Sequence, residues 1–245
     1  MNLLEVQGLR KTYPAFRLED VSFSVPEGAV MGLIGRNGAG KSTTLKSILG
    51  LVHPDAGRVE MFGREFSENE RYIKENIGVV LGGIDFYPKK KVRTITDVTR
   101  WFYSNWQEEK YRHYLDLFAI DENKRVDQLS SGMRVKYLLA LALSHNARLL
   151  ILDEPTSGLD PVSRDELAEL LRRIAADGTR SVLFSTHITS DLEKCASHIT
   201  FIQEGRLQRS DTLAGFMAHY ADLGSTLEEI IVAAERRPYD ADAII

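Results

Sequence analysis

Hydrophobic positions along the 245-residue chain follow two periods in turn. Residues 3–6 and 21–25 are short β-type pieces. In the second, Val21, Phe23 and Val25 alternate with Ser22 and Ser24, the mark of a half-exposed strand. Residues 29–34 form an unbroken apolar run that ends in glycine and leads into a helical stretch carrying Leu45, Ile48 and Leu49, closed by Gly50. Strand, loop and helix in that order are of the buried parallel type. From about residue 84 to 144 strand signals thin and helical periodicity takes over, with aromatic residues between Trp101 and Trp106 and again at Tyr114 and Phe118. This stretch reads as a helical insert. Apolar strands return at residues 149–152, 181–185 and 199–202. A helix over residues 161–176 separates the first two, with Asp160 as its cap and Pro161 in its first turn. Asp177-Gly178 ends that helix, and Glu204-Gly205 marks a turn between the last two strands. The tail from Thr212 reads as helical, with Ser225 and Glu228 spaced for a capping box before Ile230 and Ile231. Alternating strands and helices predict an α/β fold with a mostly parallel sheet.

Composition narrows the function classes. With 43% hydrophobic and 27% charged residues the chain suits one large domain or two small lobes, without internal repeats or a low-complexity linker. A net charge of -4 gives no electrostatic footprint for nucleic acid or for an anionic membrane surface. The longest apolar run, residues 138–143, is far short of the roughly 20 needed to span a bilayer. Residues 1–10 lack a basic stretch followed by an apolar one, so secretion is not expected. The single cysteine, Cys195, has no internal disulfide partner and fits a reducing compartment as an inert thiol. A cytoplasmic location follows as an expectation.

Two motifs carry chemistry. Gly35-Arg36-Asn37-Gly38-Ala39-Gly40-Lys41-Ser42, followed by Thr43, fits the phosphate-loop pattern and lies after an apolar strand and before a helix. Glycines let consecutive N–H groups converge on phosphate oxygens, and the helix N-terminus adds positive potential. Lys41 reaches the β and γ phosphates, and Ser42 is placed to ligate Mg²⁺. Downstream, the apolar residues 149–152 end in Asp153 and Glu154. Asp153 is the candidate Mg²⁺ holder, and Glu154 the candidate base that orients and polarises the attacking water. ATP and Mg²⁺ are therefore the expected cofactors.

Followed by Ser157-Gly158-Leu159-Asp160, this strand end resembles the Walker B and D-loop of ABC ATPases, and the resemblance extends along nearly the whole chain. Leu129-Ser130-Ser131-Gly132-Met133 resembles the ABC signature, His187 falls where the switch histidine would, and Tyr13 takes the place of the adenine-stacking aromatic, with Phe16 as a neighbouring competitor. The resemblance implies a P-loop NTPase core with an N-terminal antiparallel β subdomain, spanning residues 1–83 and 146–211. It further implies a helical signature subdomain over 84–145 and a helical tail over 212–245. It also implies a head-to-tail dimer with a second ABC subunit, identical or not, in which Ser130 and Gly132 of one copy contact ATP held by the other, and an integral membrane permease as partner. The protein would then sit on the inner face of the cell membrane through that permease. The closing segment 225–230 resembles the end of cassettes that serve separate permeases, often efflux systems, and so leans toward export.

The pattern departs from the family in two places. Gly82 and Gly83 stand where a glutamine usually follows residues 77–81, leaving Asp85 as the only carboxylate nearby, and Ser131 and Met133 replace the usual glycine and glutamine of the signature. A GTPase reading fails on spacing, because Asn123-Lys124-Arg125-Val126-Asp127 is one residue too long for a guanine-reading motif. A soluble ABC ATPase acting on nucleic acid or ribosomes would usually carry two cassettes or a long coiled-coil insert, and neither is present. The basic run at residues 88–93 reads as a solvated loop, so no nucleic-acid partner is expected. A catalytically weakened regulatory subunit is disfavoured by intact Lys41, Asp153, Glu154 and His187.

Overall fold

The computed structural model describes residues 1–81 and 87–236; Gly82, Gly83 and Asp85, singled out from the sequence, lie outside the described residues. Two long antiparallel strands open the chain, β1 (Asn2–Tyr13) and β2 (Phe16–Pro26), paired through contacts such as Val6↔Phe23. They outrun the pieces read from the sequence because their extensions carry exposed polar residues such as Thr12 and Arg17. Next come β3 (Val30–Ile34), α1 (Lys41–Ile48), β4 (Ala56–Met61), β5 (Arg64–Glu65), α2 (Phe66–Asn76) and β6 (Ile77–Leu81). The insert holds α3 (Val92–Arg100), α4 (Glu108–Leu117), a 3-10 turn (Val126–Gln128) and α5 (Ser131–Ser144). The chain then runs through β7 (Leu149–Asp153), α6 (Pro161–Ala175), β8 (Ser181–Thr186), α7 (Thr189–Cys195), β9 (His198–Gln203), β10 (Arg206–Thr212), α8 (Leu213–His219) and α9 (Leu227–Glu235).

Among the described residues the strands form one sheet in the order β5-β4-β1-β2-β10-β9-β3-β8-β7-β6. The run β6, β7, β8, β3, β9 is parallel, whereas β5, β4, β1 and β2 pair antiparallel. The two parts meet through β10, which bridges to β2 at Arg206↔Glu19. β3, β7 and β8 are buried along their whole lengths, as expected for parallel strands covered on both faces. Period 2 divides their side chains: Met31 and Leu33 face a core shared with α1 and the antiparallel strands, while Val30 and Ile34 face one shared with α5, α6, α7, α8 and α9. Each fully buried Leu, Ile or Phe here is worth about 1.5–3 kcal/mol of burial, so residues 149–152 alone anchor β7 firmly.

The insert has a small core of its own around Val92, Tyr111, Leu115, Tyr137 and Leu141. Helix α5 lies between that core and the sheet, turning Tyr137 and Leu141 one way and Leu139, Ala142 and Leu143 the other. That double burial accounts for the apolar run at residues 138–143, since a helix covered on both sides is apolar all round. At the tail the expected capping box is shifted by one residue. Thr226, not Ser225, caps α9, and Glu229, not Glu228, reaches back to it. The backbone and hydroxyl of Ser225 also donate to the Glu229 carboxylate, which is why the spacing misleads.

Candidate functional site

The phosphate loop folds as its residues require. Gly35 has φ +153, and an added Cβ there would meet the Ile202 carbonyl oxygen at 2.1 Å; Gly40, at φ +114, is the N-cap of α1 and leaves the first amides of the helix without a side-chain cap. Uncapped helix N-terminal amides beside a lysine suit a polyanion. Lys41 is 5% exposed, and its Nζ donates to the carbonyls of Gly35 (2.7 Å) and Arg36 (3.2 Å) and lies 3.4 Å from Glu154 Oε1. The Ala39 N–H donates to the Arg36 carbonyl, closing the loop on itself.

The carboxylate pair sits at the C-terminal edge of β7, opposite this loop. Asp153 is nearly buried, and its Oδ1 accepts from the hydroxyls of Ser42 (3.1 Å) and Ser185 (2.6 Å). Those bonds are needed, because an unpartnered buried carboxylate would cost several kcal/mol, roughly the margin on which a domain folds. Glu154 follows at φ +50, a strained conformation for a glutamate, which turns its side chain out of the strand line toward the cleft. Its N–H is held by Ser185, through carbonyl (3.1 Å) and hydroxyl (3.0 Å). Its Oε2 lies 2.8 Å from His187 Nδ1. The imidazole expected in the place of the switch histidine thus holds the candidate base with one nitrogen, leaving Nε2 for a ligand.

A cleft of about 690 Å³ gathers Asn37, Gly38, Gly40, Lys41, Ser42, Thr43, Glu154 and His187 with Tyr13 and Phe16. Tyr13 is 38% exposed and shares the rim with Phe16, so both aromatics expected as stacking partners are at hand. Gly35, Arg36 and Ala39 form the back of the loop instead. Ser130 and Gly132 are absent from the lining. Ser130 caps α5, its hydroxyl accepting from the Met133 N–H at 3.2 Å, so the signature opens a helix whose start does not line the chain's own cleft.

Among the described residues no cluster of three or more His, Cys, Asp or Glu side chains could cage a metal. The donor set is a serine hydroxyl and one carboxylate: hard oxygens, too few to enclose a cation. That suits Mg²⁺, which keeps waters and takes substrate phosphate oxygens to complete its shell.

Ser185 and Glu235 were missed by the sequence reading. Ser185 had a signal: a hydroxyl directly after the apolar Val182-Leu183-Phe184 of a strand buried along its length needs a polar neighbour. Glu235, at the far end of the chain, had none. Cys195 is buried, its thiol pushed up to about 12 by burial and bonded to the Asp191 carbonyl, so it is inert as expected.

The protein-family model described as ABC transporter matches residues 18–157. The chain belongs to that family. It is an ATP-binding subunit of an ABC transporter and an ATPase. It is 32% identical over 208 residues to the bacitracin transport ATP-binding protein of Bacillus licheniformis, an alignment covering 84% of this chain and 68% of that one. It is 39% identical over 192 residues to the Nod factor export ATP-binding protein I of Burkholderia orbicola, covering 76% of this chain; the match spans 62% of that relative's length, so the relative is longer than what is matched here. A solved ATP-binding subunit of an ABC transporter superposes with a TM-score of 0.84 at 28% identity, covering 96% of this chain and all of that one.

Proposed function

We propose that this ABC subunit hydrolyses MgATP in a site completed by the signature of a second copy, and that the cycle drives export through a separate membrane permease. The observation that carries the composite site is the cleft itself, which collects the phosphate loop, Glu154 and His187 but neither Ser130 nor Gly132. The uncovered side of the γ-phosphate position is therefore open to an α5 N-terminus from elsewhere, whose dipole and Ser130 O–H favour an anion.

In this reading the amides of the loop and the start of α1 bind the phosphates, and Lys41 turns from the loop carbonyls to the β and γ oxygens. Tyr13 or Phe16 stacks on the adenine. Glu154 accepts a proton from the attacking water while His187 holds its carboxylate in place, and Ser185 fixes the backbone of Glu154 and the Asp153 carboxylate together. Ser42 and Asp153 would hold Mg²⁺, which supplies charge neutralisation at the phosphates when bound. A permease partner is supported by the insert, where Val98, Trp101 and Phe102 are 58%, 82% and 73% exposed beside a groove that Ile95, Tyr103 and Leu138 help to line. Contiguous exposed aromatics of that kind mark protein contacts. Export is supported by the likeness to the Nod factor export ATP-binding protein. Among the described residues no helix is long and apolar enough to cross a membrane.

The test is steady-state phosphate release. The purified protein should turn over ATP with Mg²⁺ and stop when the cation is chelated. Glu154→Gln should lower turnover by about 10²-fold or more, the usual contribution of a general base, while still binding nucleotide. Parent-level hydrolysis by Glu154→Gln would refute the assignment.

A further inference from the structure

We infer that Glu235, at the end of α9, is a positioning residue for the phosphate loop, so that docking of the C-terminal helix and binding of nucleotide strengthen each other. The inference rests on the reading of residues 35–43 as the nucleotide-binding loop and adds a second element to it, 199 residues away from Arg36 in sequence.

Arg36 is held from two sides. Its carbonyl accepts from Lys41 Nζ at 3.2 Å, and its N–H donates to Glu235 Oε1 at 3.0 Å, with the guanidinium Nε 3.8 Å from Glu235 Oε2. The Glu235 side chain is only 7% exposed and bounds a recess of about 290 Å³ between the loop and Gln203 and Glu204 of the β9-β10 turn. That turn holds the loop as well, through the Gly205 N–H donating to the Ala39 carbonyl at 2.9 Å. Helix α9 is a firm arm for the carboxylate. Leu227 and Ile230 are fully buried in the core that Val30 and Ile34 face, the Leu227 N–H donates to Glu193 Oε1 at 2.6 Å, and Gln203 Nε2 donates to the Ala234 carbonyl at 3.1 Å.

A buried carboxylate beside an anion-binding loop is unfavourable on two counts: burial raises its pKa, and a bound triphosphate would repel it. What offsets this is position, since its partner is the amide of the second loop residue. A triphosphate competes with the Gly35 and Arg36 carbonyls for Lys41 Nζ. When the lysine turns to the phosphates, Glu235 still holds the Arg36 N–H, Gly205 still holds the Ala39 carbonyl, and the Ala39 N–H ties the two points together. Two events that require the same ordered loop stabilise one another, and the coupling is reciprocal.

Hydrogen exchange of the whole chain with and without MgATP, together with equilibrium binding of a fluorescent ATP analogue, tests this. MgATP should slow exchange both in residues 36–48 and at the α9 amides by about fivefold or more, the lower range of known couplings. Glu235→Ala should weaken analogue binding by a similar factor and abolish the slowing at α9. Glu235→Gln, which keeps an oxygen acceptor for the Arg36 N–H, should stay within about twofold of the parent in affinity, as expected if the hydrogen bond rather than the charge is what matters. Slowing at residues 36–48 with none at α9 in the parent protein overturns the inference while leaving nucleotide binding intact. No slowing at either place overturns the nucleotide reading and this inference with it. Tighter binding by Glu235→Ala would mean that repulsion, not anchoring, governs the contact, and a Glu235→Gln variant as weak as Glu235→Ala would exclude the hydrogen bond as the anchor.

Discussion

Lys41 and Glu154 are 3.4 Å apart, yet their replacements should fail in different ways. Lys41→Ala removes a charge that faces the phosphates and also the donor that holds the Gly35 and Arg36 carbonyls, so it should raise the dissociation constant for MgATP by about tenfold or more, in line with about 1.5–3 kcal/mol for a charged hydrogen bond. Glu154→Gln keeps the side-chain shape and should leave binding near the parent value while turnover is lost. Equilibrium binding beside single-turnover hydrolysis separates the two; a Lys41→Ala protein that binds as tightly as the parent would contradict the assignment. At this scale the sequence was most informative where spacing is dictated by the ligand. Eight residues of loop and two carboxylates at a strand end are legible because phosphate and cation chemistry leave few alternatives. Ser185 and Glu235 were not, because their roles depend on which distant backbone atom lies opposite them.

Among the elements, α5 and the segment after it carry a pH-dependent part of the stability. His145 follows α5, is 2% exposed, stacks on Tyr103 at 3.7 Å between centroids, and lies 3.3 Å from the Glu75 carbonyl. Burial lowers its pKa from 6.5 to about 4. The folded protein therefore holds a neutral imidazole where the unfolded chain gains a proton, and the unfolded chain binds more protons between those values. Stability should be constant above about pH 6.5 with respect to this group and fall as pH drops toward 4, by up to about 3 kcal/mol. Urea unfolding midpoints across that range should show the decline, and His145→Gln should flatten it; a slope unchanged in the variant would assign the effect to other groups. Elements were legible in proportion to their apolar pattern. The strands β3, β7 and β8 stood out as unbroken runs, whereas α2, with Ile73 as its buried residue, had no apolar stripe to reveal it. The capping box was misplaced by one residue because Ser225 and Thr226 both reach Glu229 and local spacing cannot choose between them.

For the whole molecule, the division of labour between the cleft and the signature matters most. Ser130 was picked out by its place in the order of motifs, and the fold adds that it opens a helix which does not line its own chain's cleft. The sequence could suggest this only through family resemblance, because nothing in a local pattern says which side of a helix another molecule will meet. Two copies arranged head to tail would close two clefts at once, a self-complementary contact of the kind that makes a closed dimer. Sedimentation velocity of the Glu154→Gln protein with and without MgATP tests this most directly. A shift from monomer to dimer on adding MgATP, absent when Ser130→Arg is combined with it, is the expected result; a Glu154→Gln protein that stays monomeric at saturating MgATP would contradict a site completed by a second copy of this chain.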